Sequence, residues 1–196
     1  VKIVIVLFAL AIGVTSLEAR ANAAREFGPY ISAGLTRNMA GVTQPGVNAS
    51  LDGWGESGEL GFDIPFTETF GFTLGAELAQ RELRNSTTSS SYLDDTKINS
   101  RAARGSFFYK SFYLGGSYQQ AGIDLVTVSA NSGASSAHLD LTGASYFAGY
   151  SITYKNLLRA NIEGESAHYA STGFNYTDYS VGLKFQILIS GFLDRN

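Results

Sequence analysis

In Phe70-Gly71-Phe72-Thr73-Leu74-Gly75-Ala76-Glu77-Leu78, every even-numbered residue is apolar and every odd-numbered one is glycine, threonine or glutamate. Side chains of a β-strand point alternately to its two faces, so a period of two sets a greasy face against a polar one. A helix would spread these apolar residues around its whole circumference. The segment therefore predicts a strand whose two sides meet different surroundings.

The same alternation recurs along the chain. Near the start, Phe27, Pro29, Ile31, Ala33 and Leu35 share one parity, and Tyr30, Ser32, Gly34 and Thr36 the other. Near the end, Tyr179, Val181, Leu183, Phe185 and Ile187 alternate with Asp178, Ser180, Gly182, Lys184 and Gln186. Between these, strands are expected at Trp54 to Ile64, Ala102 to Tyr109, Phe112 to Gln120, Leu139 to Tyr154 and Leu157 to His168, which makes eight. Their outward members include Leu60, Phe62, Ile64, Phe107, Tyr109, Leu114, Tyr118, Tyr146, Tyr150, Ile152, Leu158 and Ile162.

What occupies the other parity decides which way the sheet faces. Glu59, Asp63, Glu77, Arg104, Arg159, Glu163, Glu165, Asp178 and Lys184 lie there, with Gly34, Gly61, Gly71, Gly75, Gly115, Gly143, Gly149 and Gly182. Such a face cannot be a hydrophobic core. Enclosed by a narrow eight-stranded barrel, it fills the interior with side chains, and the apolar face turns outward into lipid. The expected fold is all-β: an eight-stranded antiparallel up-and-down transmembrane barrel.

Composition agrees. Among 196 residues, 13 Phe, 11 Tyr and 22 Gly accompany only 3 Pro, a bias toward β-structure. Cysteine is absent, so neither a disulfide framework nor a thiolate metal site is available. The formal charge is −3, with no basic surface for nucleic acid. Ile3 to Val14 is an apolar run after Lys2, followed by a polar stretch ending Ala21-Asn22-Ala23. This reads as a secretory signal peptide over 1–23, cleaved to leave a barrel domain over 24–196. As a helix the apolar run would span about 18 Å, too short for a hydrocarbon core of about 30 Å, which disfavours an uncleaved anchor.

Connections are expected to alternate in length. Short ones fall at Pro65 to Thr69, around Lys110 and Ser111, and around Lys155 and Asn156; long polar ones fall at Arg37 to Gly53, Gln80 to Arg101, Ala121 to His138 and Tyr169 to Tyr176. Outer-membrane barrels pair short periplasmic turns with longer external loops, so both termini are expected in the periplasm. Asn85 to Tyr92 is almost wholly Ser, Thr and Asn and reads as mobile. Ile123, Leu125, Val126 and Val128, then Leu139 and Leu141, read as a hairpin projecting beyond the membrane. Tyr109, Tyr113, Tyr118, Tyr146, Tyr150, Tyr154, Tyr176 and Tyr179 are expected at headgroup level near strand ends.

The chain from Phe27 to Ile189 resembles the small outer-membrane barrel proteins of the opacity/OmpA-like class. The most specific part is Tyr179-Ser180-Val181-Gly182-Leu183-Lys184-Phe185, which is similar to the terminal-strand signal read by the barrel assembly machinery; Tyr179, Gly182, Leu183 and Phe185 carry it. Eleven residues follow Phe185, so either the strand continues through Ile187 and Ile189 with Phe192 near its end, or a short tail is appended. The resemblance implies a monomer in the Gram-negative outer membrane whose partners are lipids, the assembly machinery and a surface ligand that the sequence does not identify.

Chemistry-bearing constellations are sparse. His168, Ser171 and Asp178 faintly resemble the triad of outer-membrane lipid A deacylases, but the place two residues after the histidine, on the same strand face, is Ala170. The inner carboxylates outnumber the inner cations and could line a cation-preferring pore. Paired charges plugging the barrel are the favoured reading, since an unpaired buried charge costs several kcal/mol. Asp52, Asp94, Asp95 and His138 stand apart from other ligands, Asn85-Ser86-Thr87 has the glycosylation spacing but reads as loop composition, and neither metal nor cofactor is expected. The function read from sequence is a structural or surface-interaction barrel with a closed polar lumen; the alternatives are a small cation channel and a lipid-modifying hydrolase.

Overall fold

The computed structural model describes residues 26–44, 47–86, 91–129, 133–154, 156–171 and 174–189. The expected leader over 1–23 and Phe192 lie outside them. Eight strands run in chain order: β1 (Gly28–Gln44), β2 (Val47–Pro65), β3 (Phe70–Asn85), β4 (Ser91–Tyr109), β5 (Phe112–Ser129), β6 (Gly133–Tyr154), β7 (Leu158–Ser171) and β8 (Phe174–Leu188). Each pairs antiparallel with its sequence neighbours, and β8 returns to β1, with Leu183 opposite Leu35, to close an up-and-down barrel. Closure leaves no free edge along the paired length, and it satisfies the backbone polar groups without solvent.

The expected alternation sets the orientation of the wall. Phe70, Leu74, Ala76 and Leu78 face out, Leu78 at 70% exposure, while Gly71, Thr73 and Glu77 are buried inside. Outward aromatic rings gather at two levels. Near the short turns, Phe107 packs on Phe70 and Phe72 with centroids at 6.2 and 4.8 Å, and Phe112 on Tyr150 at 5.0 Å. Farther up, Trp54, Tyr118, Tyr146 and Tyr179 are exposed. Along β8, about eight residues of about 3.3 Å each, tilted by about 40°, separate the two levels by roughly 20 Å, comparable to the apolar band of an outer-membrane barrel.

Two of the expected headgroup tyrosines point the other way. Tyr113 turns inward beside Gly115, and Tyr176 is wholly buried. Each has the parity of the inner face, which outranks nearness to a strand end.

The short turns are where expected. Phe66 and Thr67 donate backbone bonds to the Phe70 carbonyl, and Thr67 Oγ1 accepts from the Phe70 amide at 3.0 Å. Lys110 and Asn156 occupy the left-handed region, with φ of 55° and 52°, as tight reversals between strands require.

The links expected to be long are instead largely strand. β1 and β2 pair out to Gln44 and Val47, β5 and β6 out to Ser129 and Gly133, and β7 and β8 out to Ser171 and Phe174. Thus Arg37 to Gly53, Gln80 to Arg101, Ala121 to His138 and Tyr169 to Tyr176 mostly extend the wall beyond the apolar band. Within this extension the polarity inverts. Ala40, Val42, Leu51, Leu83, Ile98, Ala121, Ile123, Leu125, Leu141, Tyr169, Phe174 and Tyr176 form an apolar cluster inside, while Glu82, Lys97, Asn99, Arg101, Asp124, His138 and Asp140 lie outside. The inner face is thus polar at the level of the band and a hydrophobic core above it, which corrects the expectation of a uniformly polar interior. On β3 the inversion occurs after Leu78 with no break in register. An unbroken strand changes phase only where the medium outside changes, from apolar to aqueous.

Candidate functional site

The interior at the level of the apolar belt is filled by one ion-pair network. Arg104 enters from β4, and its side chain reaches four carboxylates: Glu163 at 2.8 Å, Glu77 at 3.3 Å, Glu165 at 3.5 Å and Glu59 at 3.7 Å. Lys184, from β8, meets Glu77 at 2.5 Å, Glu163 at 2.9 Å and Glu59 at 3.6 Å. The Phe147 ring covers the guanidinium from 3.8 Å. Toward the short turns, Arg159 pairs with Asp63 at 2.7 Å, and Thr73 donates to Asp63 at 2.9 Å. Toward the far end, Arg81 pairs with Asp178 at 3.3 Å.

All nine charges predicted for the inner face are thereby placed in the lumen, at two levels of the network and its upper fringe. The sequence reading omitted Arg81, because it lay within a presumed loop; its parity, shared with Glu77, is the signal that would have found it. Neutral donors were missed too. Tyr30 donates to Glu59 at 2.5 Å, Tyr113 to Glu163 at 3.1 Å and Gln119 to Glu165 at 2.7 Å, while Tyr169 donates to Gln119. These bonds help four cations hold six carboxylates: Glu59, Glu163, Glu165 and Asp63 each also accept from a hydroxyl or an amide, whereas Asp178 Oδ1 is buried without a hydrogen-bond partner among the described residues.

The inner glycines make room for rings rather than merely filling space. Tyr30 lies directly opposite Gly61, Phe108 opposite Gly71, Tyr113 opposite Gly149, Phe147 opposite Gly115 and Tyr169 opposite Gly143. In each pair a methyl group on the glycine would overlap or crowd the ring. Gly149→Ala is therefore expected to displace Tyr113 from Glu163 and cost about 1–3 kcal/mol. Gly164→Ala, where the nearest atom is a carbonyl oxygen at 3.9 Å, should change stability by less than about 0.5 kcal/mol. Urea unfolding in lipid vesicles checks both; equal midpoints would show that the ring does not depend on the glycine.

The free space at the Arg104 level is about 30 Å³, lined by Tyr30, Glu59, Arg104, Tyr113, Glu163 and Lys184. It has room for a water or two, not for a file of hydrated ions.

The residues of the suggested triad are not assembled. His168 faces outward, with Nδ1 3.1 Å from Thr177 Oγ1, whereas Asp178 faces inward onto Arg81, so the wall stands between them. The side chain of Ser171 lies outside the described residues. Asp52 and His138 are not isolated: Asp52 pairs with Arg37, and His138 lies between Asp124 at 2.6 Å and Asp140 at 3.5 Å. No group of three or more metal-ligating side chains is present among the described residues.

The hydrogen bond with Asp124, on the water-exposed part of β5, raises the pKa of His138 above its ordinary value. A raised folded-state pKa means that the contact contributes fully below the unfolded pKa and is lost as pH rises through the folded one. A proton NMR titration should show a midpoint for His138 above that of free histidine, falling in Asp124→Asn. An unchanged midpoint in the variant would sever the link.

Tyr179, Gly182, Leu183 and Phe185 lie on the closing strand, with Gly182 packed on Thr36 of β1 and the other three facing outward. The strand continues to Leu188, and the Ile189 amide donates to the Pro29 carbonyl at 3.0 Å.

No family model matches the sequence, and no curated protein matches it. Solved structures do. Neisserial surface protein A is similar at 15% identity and a TM-score of 0.57, the match covering 82% of this chain and 96% of that one. Ail, the attachment invasion locus protein of Yersinia pestis, is similar at 15% identity and a TM-score of 0.50, covering 82% and 99%. The fold is that of the small eight-stranded outer-membrane barrels.

Proposed function

We propose that this chain is an integral outer-membrane barrel with a structural or surface-interaction role, its closed lumen serving as a rigid post for the collar of strands above the lipid. The observation that carries the reading is the pairing of a greasy outer wall with an interior packed around Arg104 and Lys184, leaving about 30 Å³ free. A wall of this kind is stable only with acyl chains outside it. The short turns and both ends of the barrel's chain share one rim, which this reading assigns to the periplasm; the extended collar then faces outward from the cell. The two similar structures are, by name, a surface protein and an attachment invasion protein, and this supports the assignment.

A non-conducting barrel follows from the same packing. In planar bilayers the purified protein is expected to show no steady open state, and a salt-dependent conductance would overturn the reading in favour of the cation channel. A non-catalytic role is supported by the separation of His168 from Asp178. Lipids of the bilayer are its expected partners, and the closing strand Tyr179 to Phe185 is the segment through which the assembly machinery would recognise it.

A further inference from the structure

Asp124 and His138 are remote in sequence but face each other across β5 and β6. The Ser151 amide donates to the Ser111 carbonyl at 2.7 Å, so odd-numbered residues of β6 form the hydrogen-bonded pairs with β5 and even-numbered ones the pairs between them. In those intervening pairs the backbones lie closer and the side chains meet. Asp124 and His138 are such a pair on the water-facing outer side of the collar, and Asp140, two residues farther along β6, shares that side. Gly122 stands opposite Asp140, and the imidazole ring of His138 lies over it; a methyl group there would come within 3.2 Å of Cε1. The glycine gives the ring room to reach both carboxylates.

The two ring nitrogens then have different tasks. Nδ1 is 2.6 Å from Asp124 Oδ1, and a neutral imidazole that donates there keeps its lone pair on Nε2. Nε2 is 3.5 Å from Asp140 Oδ1. In that tautomer neither atom carries a proton for the other: a nitrogen lone pair faces an anionic oxygen, and a cation between them satisfies both. Two donors bound at about 2.0–2.1 Å to a tetrahedral ion stand roughly 3.4 Å apart, close to the observed separation. Asp124 supplies the outer carboxylate that, behind a metal-binding histidine, fixes the tautomer and makes the ring a better ligand. Charge agrees. Lys97, opposite Asp124 on β4, pairs with Glu82 at 3.7 Å, which leaves Asp124 and Asp140 as two negative charges beside the ring.

We propose that His138 Nε2 and the Asp140 carboxylate bind a divalent transition-metal ion of the zinc class, with Asp124 as the positioning residue behind the ring. The imidazole selects against magnesium and calcium, which take oxygen ligands. Two protein ligands leave two positions of a tetrahedral ion to water, since no further histidine or carboxylate completes the shell among the described residues. The site is therefore open and exchangeable, unlike a closed four-ligand structural site, and its ion stays in contact with the medium around the collar. It needs only the β5 and β6 ladder, so it goes beyond the surface role given above and does not depend on it.

The test uses the whole mature protein, free of tag histidines, in nanodiscs of zwitterionic lipid, with zinc chloride as the probe. The chain has two histidines, and His168, whose Nδ1 meets Thr177 rather than a carboxylate, is an internal control. Nitrogen NMR of the rings is expected to show saturable coordination through His138 Nε2 with Nδ1 still protonated. His168 should respond only at zinc concentrations about tenfold higher or more. Asp140→Asn should weaken zinc binding about tenfold or more, by removing a ligand. Asp124→Ala should weaken it about 10- to 100-fold and, unlike Asp140→Asn, release the His138 ring into a mixture of tautomers. A large excess of magnesium should leave the zinc midpoint unchanged. Equal response of the two histidines, coordination through Nδ1, unchanged affinity in Asp140→Asn or displacement by magnesium would each overturn the proposal. The comparison of His138 with His168 is made in the unaltered protein, so it decides the matter even where a variant fails to migrate as a folded barrel on a detergent gel.

Discussion

Arg104→Met is expected to cost about 3–5 kcal/mol of stability, among the largest losses for any single change in the barrel. The arginine is 5% exposed and is the only side chain among the described residues that reaches Glu59, Glu77, Glu163 and Glu165 at once. Its removal leaves four carboxylates facing Lys184 and three neutral donors in a space too small to admit bulk water. Methionine keeps the aliphatic stem but not the guanidinium that lies over Phe147, so the loss combines the missing charge with that missing contact. Adding Glu163→Gln should recover part of it, because the second change removes a charge that the first left uncompensated. Urea unfolding in vesicles measures the cycle; additive losses would mean that the two groups do not share a network.

Leu74→Arg should cost about 2–4 kcal/mol, for the opposite reason. Leu74 is half exposed at the centre of the apolar run on β3 and makes no interior contact, so in water the change would be nearly neutral. In lipid, the guanidinium has no medium in which to be solvated. Phe72→Arg should behave alike. The effect should fade with height along the same face of one strand: about 0–1 kcal/mol for Gln80→Arg, and less still for Glu82→Arg, above the point where polarity inverts. A flat profile through Leu74, Gln80 and Glu82 would mean that the belt does not face acyl chains.

Both results depend on features with different standing in the sequence. The alternation at Phe70 to Leu78 is a local property, and it was enough to give strand, face and sidedness. Repeated eight times with charges on the enclosed parity, it also gave closure, since no open sheet could cover both faces. Strand ends were misjudged because the criterion was apolar residues on the outward parity, and above the band that criterion reverses. Leu83 on β3, Ile123 on β5 and Tyr176 on β8 are inward apolar residues that look out of phase until the bilayer ends at Leu78, Tyr118 and Tyr179. Asp124 and His138 were read as separate because 14 residues divide them, yet a hairpin register places them side by side.

By itself, then, the sequence determined which side chains line the lumen and which meet the lipid, because a period of two fixes the face of every residue on a strand from its parity alone. Only the tertiary structure decided that Arg104 gathers carboxylates from β2, β3 and β7, that rings cap glycines across four of the strand pairs, and that β6 outruns β7 at the rim. Those relations depend on how far each strand is shifted against the next. That shift is set by closure of the whole barrel, a condition that no single segment of the chain encodes.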